Sequence, residues 1–383
     1  NITEMKPFYI IPFVLAIAAY VALSEASVQC VDSFENEKRC CKTIQMGNDT
    51  ENFYCWPKLL VIGTMKSGTT LASLYMTSHP QITHARPKEV HYFGNGKSNP
   101  KNNDEYLQVW PASVPGERAV NVEATPRYLY SIEALQEIKE AAPSTRLLVF
   151  LRNPADRAWS EFNMMLDIEK ASEKSREWFE DHVMPLTACF KAAINSGVKF
   201  ATDKCLDAFP NERLDWNHLL SVREALRGDA VGIQRCLSLK KSFDKCGLSW
   251  RWENPKFEID KKSQWIFQSN YIKYMKRLFQ LFPKNQVLVL FYEDLISKPV
   301  QTMQKLFKHA GVDPFEVRAL TKEETKSEMT RVFPTFQRNS GWRTGKKPKM
   351  SASDRNKINA IFRGPNTQLQ QLIGKLPPRW PVY

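Results

Sequence analysis

Lys66 lies in Gly63-Thr64-Met65-Lys66-Ser67-Gly68-Thr69-Thr70, where one cation, four hydroxyls and two glycines fall within eight residues. A loop of this composition collects an anion. Its N–H groups and the dipole of a following helix converge on one small volume, and the lysine adds a full charge. The order G-x-x-K-x-G-T-T is not that of a Walker A loop, because the lysine precedes the second glycine. Taken alone, the stretch also reads as a plain strand-turn-helix with an incidental lysine.

A second cationic group opens Arg152-Asn153-Pro154-Ala155-Asp156-Arg157-Ala158-Trp159-Ser160. Pro154 suits a first helical position, with Asn153 as its cap and Asp156 in the first turn. Arg152 then ends a strand, and Ser160 lies nearly two turns into the next helix. An arginine fork with a hydroxyl can hold a phosphate. The competing reading is an arginine salt-bridged to Asp156 or Glu161. The carboxylates available for proton transfer include Glu89 in K-E-V-H-Y-F and Glu123 in E-A-T-P-R-Y. By itself, Glu89 between Lys88 and His91 reads as a surface charge. Near the end of the chain, Trp342-Arg343-Thr344-Gly345-Lys346-Lys347 could close over a nucleotide with backbone N–H groups and charge. A solvated basic loop is the equal alternative there.

These groups need strand ends to present them. Leu59–Ile62 and Arg146–Leu151 are apolar runs suited to strands buried on both faces. Gln286–Phe291 is a third, and shorter strands are expected at Gln81–Ala85 and Arg118–Val122. Leu71, Leu74 and Tyr75 fall at helical spacing until His79-Pro80. Ser131 can cap a helix through Ala142. Further helices are expected over Trp265–Phe282 and Met303–Ala310, and a last helical segment over Ile361–Gly374. Strands alternating with helices imply a doubly wound α/β fold, in which ligands bind beyond the carboxyl ends of the strands.

The chain has 383 residues, 43% of them hydrophobic and 25% charged, which suits a globular protein and excludes general disorder. Its formal net charge of +13 favours an anionic partner: nucleic acid, acidic lipid or a polyanionic glycan. Solvated surface lysines are the bland alternative. Pro7–Ser24 carries no charge, with Lys6 before it and Glu25 after it. It reads as a membrane anchor leaving the remainder in a lumen, with a cleaved signal peptide as the rival. Residues 25–56 then form a polar stem without clear periodicity. Cys30, Cys40, Cys41 and Cys55 lie in that stem, and Cys189, Cys205, Cys236 and Cys246 lie in a central region. Two even clusters suit disulfides in an oxidising compartment. No C-x-x-C pair occurs and the histidines are not spaced around the cysteines, so no metal site is expected. Residues 163–262 are too long for one strand–helix connection and read as an inserted, disulfide-stapled subdomain.

The loop around Lys66 resembles the phosphosulfate-binding loop of sulfotransferases that use 3′-phosphoadenylyl sulfate. The pattern R-[DN]-P-x-x-R-x-x-S resembles their 3′-phosphate motif, in the same order along the chain. The basic loop and Phe362-Arg363-Gly364-Pro365-Asn366 are a looser match to their C-terminal cofactor loop and helix. From about residue 57 to 380 the chain is similar to glycosaminoglycan-type enzymes, nearest to the heparan sulfate and the chondroitin 4-sulfate 6-O sulfotransferases. The resemblance implies a P-loop-kinase-like parallel sheet flanked by helices, in a single-pass type II protein facing the Golgi lumen. It implies 3′-phosphoadenylyl sulfate as donor without a metal, a polyanionic carbohydrate as acceptor, and no nucleic-acid partner. It assigns donor binding to Lys66, Ser67, Gly68, Thr69, Thr70, Arg152, Ser160, Thr344, Gly345, Lys346 and Lys347. Glu89 matches the family's base, His91 its histidine two residues on, and Lys66 the cation on the leaving oxygens. Glu123 and Arg127 match an acceptor-site element in which Ala124 replaces the usual lysine. A small hydroxylated acceptor, or a non-catalytic membrane-anchored glycan-binding protein, are the competing functions. Oligomeric state is not legible in the sequence.

Overall fold

The computed structural model describes residues 29–33, 37–46, 50–94, 103–114, 118–169, 267–333 and 350–383. The apolar run at 7–24, the central cysteines, nearly all of the insertion and the basic loop at 343–349 lie outside the described residues. Among the described residues, no helix is long and apolar enough to cross a membrane.

The chain enters through β1 (Gln29–Ser33), β2 (Glu37–Met46) and β3 (Thr50–Cys55), an antiparallel sheet in the order β1-β2-β3. The stem, which shows no periodicity as sequence, is therefore ordered by pairing between strands. Cys41 faces Cys55 in register, and the two form a disulfide. Ile44, Tyr54 and Trp56 are buried in the main core.

The site is carried by a parallel five-stranded sheet in the order β5-β6-β4-β7-β8. Its strands are β4 (Leu59–Gly63), β5 (Ile82–His84), β6 (Val120–Ala124), β7 (Arg146–Leu151) and β8 (Val287–Phe291). β4 is central and wholly buried, as its continuous apolar run requires. The helices are α1 (Thr69–Met76), α2 (Asp104–Leu107), α3 (Ile132–Ala141), α4 (Pro154–Glu169), α5 (Tyr271–Leu281), α6 (Tyr292–Ser297), α7 (Pro299–Ala310), α8 (Lys322–Val332) and α9 (Ala352–Ile373). The two sheet faces bury separate cores. Leu60, Ile62, Leu147 and Val149 pack with Leu135 of α3 and Met275 of α5. Leu59, Val61, Leu148 and Phe150 pack with Ala72 of α1 and Leu306 of α7. Period-two alternation of buried residues on both faces is the signature of a sheet covered by helices on each side.

Local signals set most boundaries. Ser131 Oγ accepts from Ala134 N–H at 3.1 Å and starts α3. Asn153 Oδ1 accepts from Ala155 N–H at 3.1 Å and from Asp156 N–H at 3.3 Å, so Pro154 begins α4 as expected. Gly311, at φ 70°, closes α7. The helix α7 begins at Pro299, ahead of the expected Met303, because proline is accepted in a first turn. The helix α9 likewise begins at Ala352, nine residues before the expected start, and carries Pro365 in its interior.

One boundary matters for the site. The strand expected at Arg118–Val122 runs instead from Val120 to Ala124, because Ile82 of β5 registers with Val120. Glu123 thereby falls within the sheet. Val120, Val122 and Ala124 face one core, which turns Glu123 toward the other.

Candidate functional site

The loop after β4 is built from inside. Thr64 Oγ1 donates to Phe150 O at 2.8 Å and shares a 2.5 Å hydrogen bond with Ser67 Oγ. Both side chains are fully buried, so these hydroxyls shape the loop. Lys66 is half-buried at φ 69°, and Gly68 caps α1 at φ 87°. A Cβ on Gly68 would lie 2.8 Å from Tyr292 Cδ2, so only glycine fits both the backbone angle and the space. Thr69 and Thr70 open the helix, and the N–H groups of its first turn are available to an anion.

Arg152, at the carboxyl end of the adjacent strand, belongs to the same site. Its Nη1 donates to Lys66 O at 3.0 Å, and its guanidinium carbon lies 4.2 Å from the centroid of the Tyr292 ring. Neither expected carboxylate captures it. Asp156 is held by Arg355 at 2.6 Å, and Glu161 by Arg157 at 2.7 Å. Arg152 Nε is buried without a hydrogen-bond partner among the described residues, an atom suited to an anionic oxygen. Ser160 is half-buried on α4.

Arg157 works differently. Its side chain is 0% exposed, donates to Ser269 Oγ at 2.6 Å, and reaches Met65 O at 3.4 Å. It braces the back of the loop, a role that nothing in its sequence context announces. Tyr292 was equally silent: one ring abuts Gly68 and carries Arg152.

The second cluster follows β5. Glu89 and His91 have φ of 62° and 54°, a region that costs a non-glycine residue about 1–3 kcal/mol. Lys88 Nζ lies 2.6 Å from Glu89 Oε1, and His91 Nε2 lies 3.6 Å from Glu89 Oε2. The lysine side chain is 1% exposed, that of Glu89 21% and that of His91 47%, so the cluster grades from interior to solvent. Burial pushes the Glu89 carboxyl up, but the charge and hydrogen bond of Lys88, with the His91 ring nearby, outweigh it. The result is a carboxylate held at about 2.

The turn Tyr128–Tyr130 lies between the two clusters. Tyr128 Oη accepts from Tyr92 N–H at 2.9 Å. The Leu129 side chain approaches Gly63 so closely that a Cβ there would meet it at 2.7 Å. Tyr130 is pushed up to about 12, chiefly by burial.

Glu123 is fully buried and takes hydrogen bonds from Thr125 and, at 3.0 Å, from Tyr106. Burial raises its pKa against those bonds. A carboxylate so enclosed does not meet an acceptor, which corrects the acceptor-site reading of this residue. Arg127 is exposed. Thr344, Gly345, Lys346 and Lys347 lie outside the described residues. Among the described residues, no cluster of three or more His, Cys, Asp or Glu side chains is placed to share a metal ion.

A cationic loop at the end of the central strand, beside an arginine with one uncommitted donor, makes a site suited to an anion on an α/β sheet. Residues 57–204 and 252–374 match the family model described as a sulfotransferase domain. The chain belongs to that family. It is 23% identical over 304 residues to the membrane-associated sulfotransferase kil1 of Dictyostelium discoideum, covering 73% of this chain and 62% of that protein. It is 27% identical over 162 residues to heparan sulfate glucosamine 3-O-sulfotransferase 5 of Homo sapiens, covering 41% and 46%. Against the Bos taurus bifunctional heparan sulfate N-deacetylase/N-sulfotransferase 2 it is 21% identical, covering 85% of this chain and 30% of the relative. The chain thus spans less than two thirds of the length of each of these curated relatives. Among solved structures, a sulfotransferase from Alicyclobacillus acidocaldarius superposes with a TM-score of 0.48 at 20% identity, over 85% of this chain and 98% of the other.

Proposed function

We propose that this chain transfers a sulfuryl group from 3′-phosphoadenylyl sulfate to a hydroxyl or amine of an acidic, glycosaminoglycan-type carbohydrate. The observation that carries the reading is the link from Arg152 Nη1 to the Lys66 carbonyl, which joins the two phosphate-binding motifs at adjacent strand ends. The residues fit the donor. Gly68, at φ 87°, turns the loop into the N-terminus of α1, and Arg152 Nε has a donor to give.

In this reading the loop N–H groups and Thr70 hold the 5′-phosphosulfate, and Arg152 with Ser160 holds the 3′-phosphate. Glu89 takes the proton from the acceptor as its oxygen or nitrogen bonds to sulfur. The bond from sulfur to the bridging oxygen breaks, and adenosine 3′,5′-bisphosphate leaves with Lys66 neutralising its charge. His91 orients Glu89 from the solvent side. Thr344, Gly345, Lys346 and Lys347, outside the described residues, are assigned to donor binding by the same resemblance. The named activities of the heparan sulfate relatives support a carbohydrate acceptor. The formal charge of +13 supports a polyanionic one. Attachment to a Golgi membrane through residues 7–24 completes the proposal.

Calorimetry with adenosine 3′,5′-bisphosphate and with ATP-Mg, followed by transfer of labelled sulfate to a panel of desulfated glycans, tests it. Tight binding of the bisphosphate and labelling of a glycan are expected. Preference for ATP-Mg, or the absence of nucleotide binding, overturns it.

A further inference from the structure

Glu123 takes no part in the chemistry above, yet it is fully buried beneath the segment that carries Glu89. Its Oε1 receives the Thr125 hydroxyl proton, and its Oε2 that of Tyr106 at 3.0 Å. A hydroxyl has one proton to give, and one given inward leaves its lone pairs to accept. Thr125 Oγ1 accepts from His91 N–H at 3.3 Å, and Tyr128 Oη accepts from Tyr92 N–H at 2.9 Å. The carboxylate therefore fixes the direction of the Thr125 hydroxyl, and the Thr125 and Tyr128 hydroxyls together hold consecutive backbone amides.

Those amides lie two and three residues after Glu89. Glu89 and His91 both occupy the left-handed region, which non-glycine residues leave unless the surroundings hold them. The bonds to His91 and Tyr92 fix this segment from its interior side. Beyond it, the Tyr92 ring stacks on Tyr106 with centroids 4.4 Å apart, and its hydroxyl donates to Asn103 Oδ1 at 2.6 Å.

We propose that Glu123 is a positioning residue that, through the Thr125 hydroxyl, holds residues 89–92 in the conformation presenting the Glu89 carboxylate, with the Tyr128 hydroxyl holding the next amide. The inference rests on the reading of Glu89 as the base. It is distinct from a merely structural need to satisfy Tyr106, because Tyr106 bonds Glu123 without touching the 89–92 backbone through its hydroxyl.

The test compares Glu123→Gln, Thr125→Val and Tyr128→Phe with Tyr106→Phe as control and Thr125→Ser as rescue. Amide hydrogen exchange, read residue by residue by NMR, should accelerate at His91 in Thr125→Val and at Tyr92 in Tyr128→Phe, while Thr64 and Ser67 keep their protection. The kcat should fall by about ten- to a hundredfold, the scale of an ångström-level misplacement, with affinity for adenosine 3′,5′-bisphosphate unchanged. Thr125→Ser and Tyr106→Phe should keep kcat. In a Glu89→Gln background, Tyr128→Phe should cost nothing further, because both act on one step. Unchanged exchange at both amides overturns the proposal, as does unchanged kcat in an active enzyme. If Glu123→Gln does not fold, Thr125→Val decides, because it removes the one hydroxyl that links Glu123 to the His91 amide. Faster exchange with a fully active Glu89→Gln enzyme would leave the tether standing and remove the base assignment instead.

Discussion

Lys88 and Glu89 are chain neighbours whose side chains nevertheless meet, with Nζ 2.6 Å from Oε1 and the lysine 1% exposed. An ammonium this enclosed exerts its charge with little screening, and Glu89 stays ionised far into acid.

The first prediction concerns pH. Glu89 is held at about 2 against an ordinary 4.5, so in a chain that transfers sulfate the acid limb of kcat/KM lies below the usual carboxylate range. Lys88→Met removes the main opposing charge while burial remains, and the limb should move upward past 4.5. The same shift has a stability sign. The folded form binds its proton later than the unfolded form, so the contribution is complete above pH 4.5 and is lost as pH falls toward 2. Acid unfolding followed by circular dichroism should show Lys88→Met failing at higher pH. An unmoved acid limb would separate Glu89 from the rate.

A second prediction separates the two arginines of one motif. Arg152→Ala should raise the donor KM by roughly ten- to a hundredfold, the value of one charge-assisted phosphate contact, and leave the melting temperature nearly unchanged. Arg157→Met should do the reverse. It strands Glu161, 3% exposed, without its partner at 2.7 Å, and should cost about 3–5 kcal/mol of stability. Thermal melts and donor titrations on both variants check this, and equal behaviour of the two would contradict it.

The contrast shows what a linear reading can reach. Buried strands, caps and the loop around Lys66 were legible because apolar runs, Ser131, Asn153 and Pro154 act locally. Arg152 was legible for the same reason: it ends a strand. Arg157 was not, because its partners Ser269 and Met65 lie far away in the chain. Glu123, matched by resemblance to an acceptor-site element, is instead enclosed, because its strand runs on to Ala124 where it was expected to end at Val122. That choice was made by pairing with β5, which leaves no mark on residues 118–122. The stem hid its strands for the same reason.

A third prediction addresses Gly68. An alanine there combines φ 87° with a methyl 2.8 Å from Tyr292, the ring beneath Arg152. Gly68→Ala should weaken binding of adenosine 3′,5′-bisphosphate about tenfold or more, since strain of about 1–3 kcal/mol falls on the binding loop itself. Calorimetry reads it directly, and unaltered affinity would show that the ring yields.

A fourth prediction follows from Lys66 as the cation on the leaving oxygens. Lys66→Ala should reduce kcat by at least a hundredfold with the fold intact, in the range of a lost electrostatic catalyst. Retained turnover would make the loop a scaffold only.

The antiparallel sheet ahead of the central strand also sets how the protein bears load. Cys41 is cross-linked to Cys55, and Asn121 Nδ2 donates to Cys55 O at 2.8 Å, four residues before Leu59. Tension applied at Gln29 passes first into β1–β2 pairing and then into a covalent bond. The disulfide and β6 take it up before it reaches β4. The arrangement is a strain relief, like the clamp where a cable enters its housing: the outer strands can be tugged while the strand that ends at the Lys66 loop stays in place.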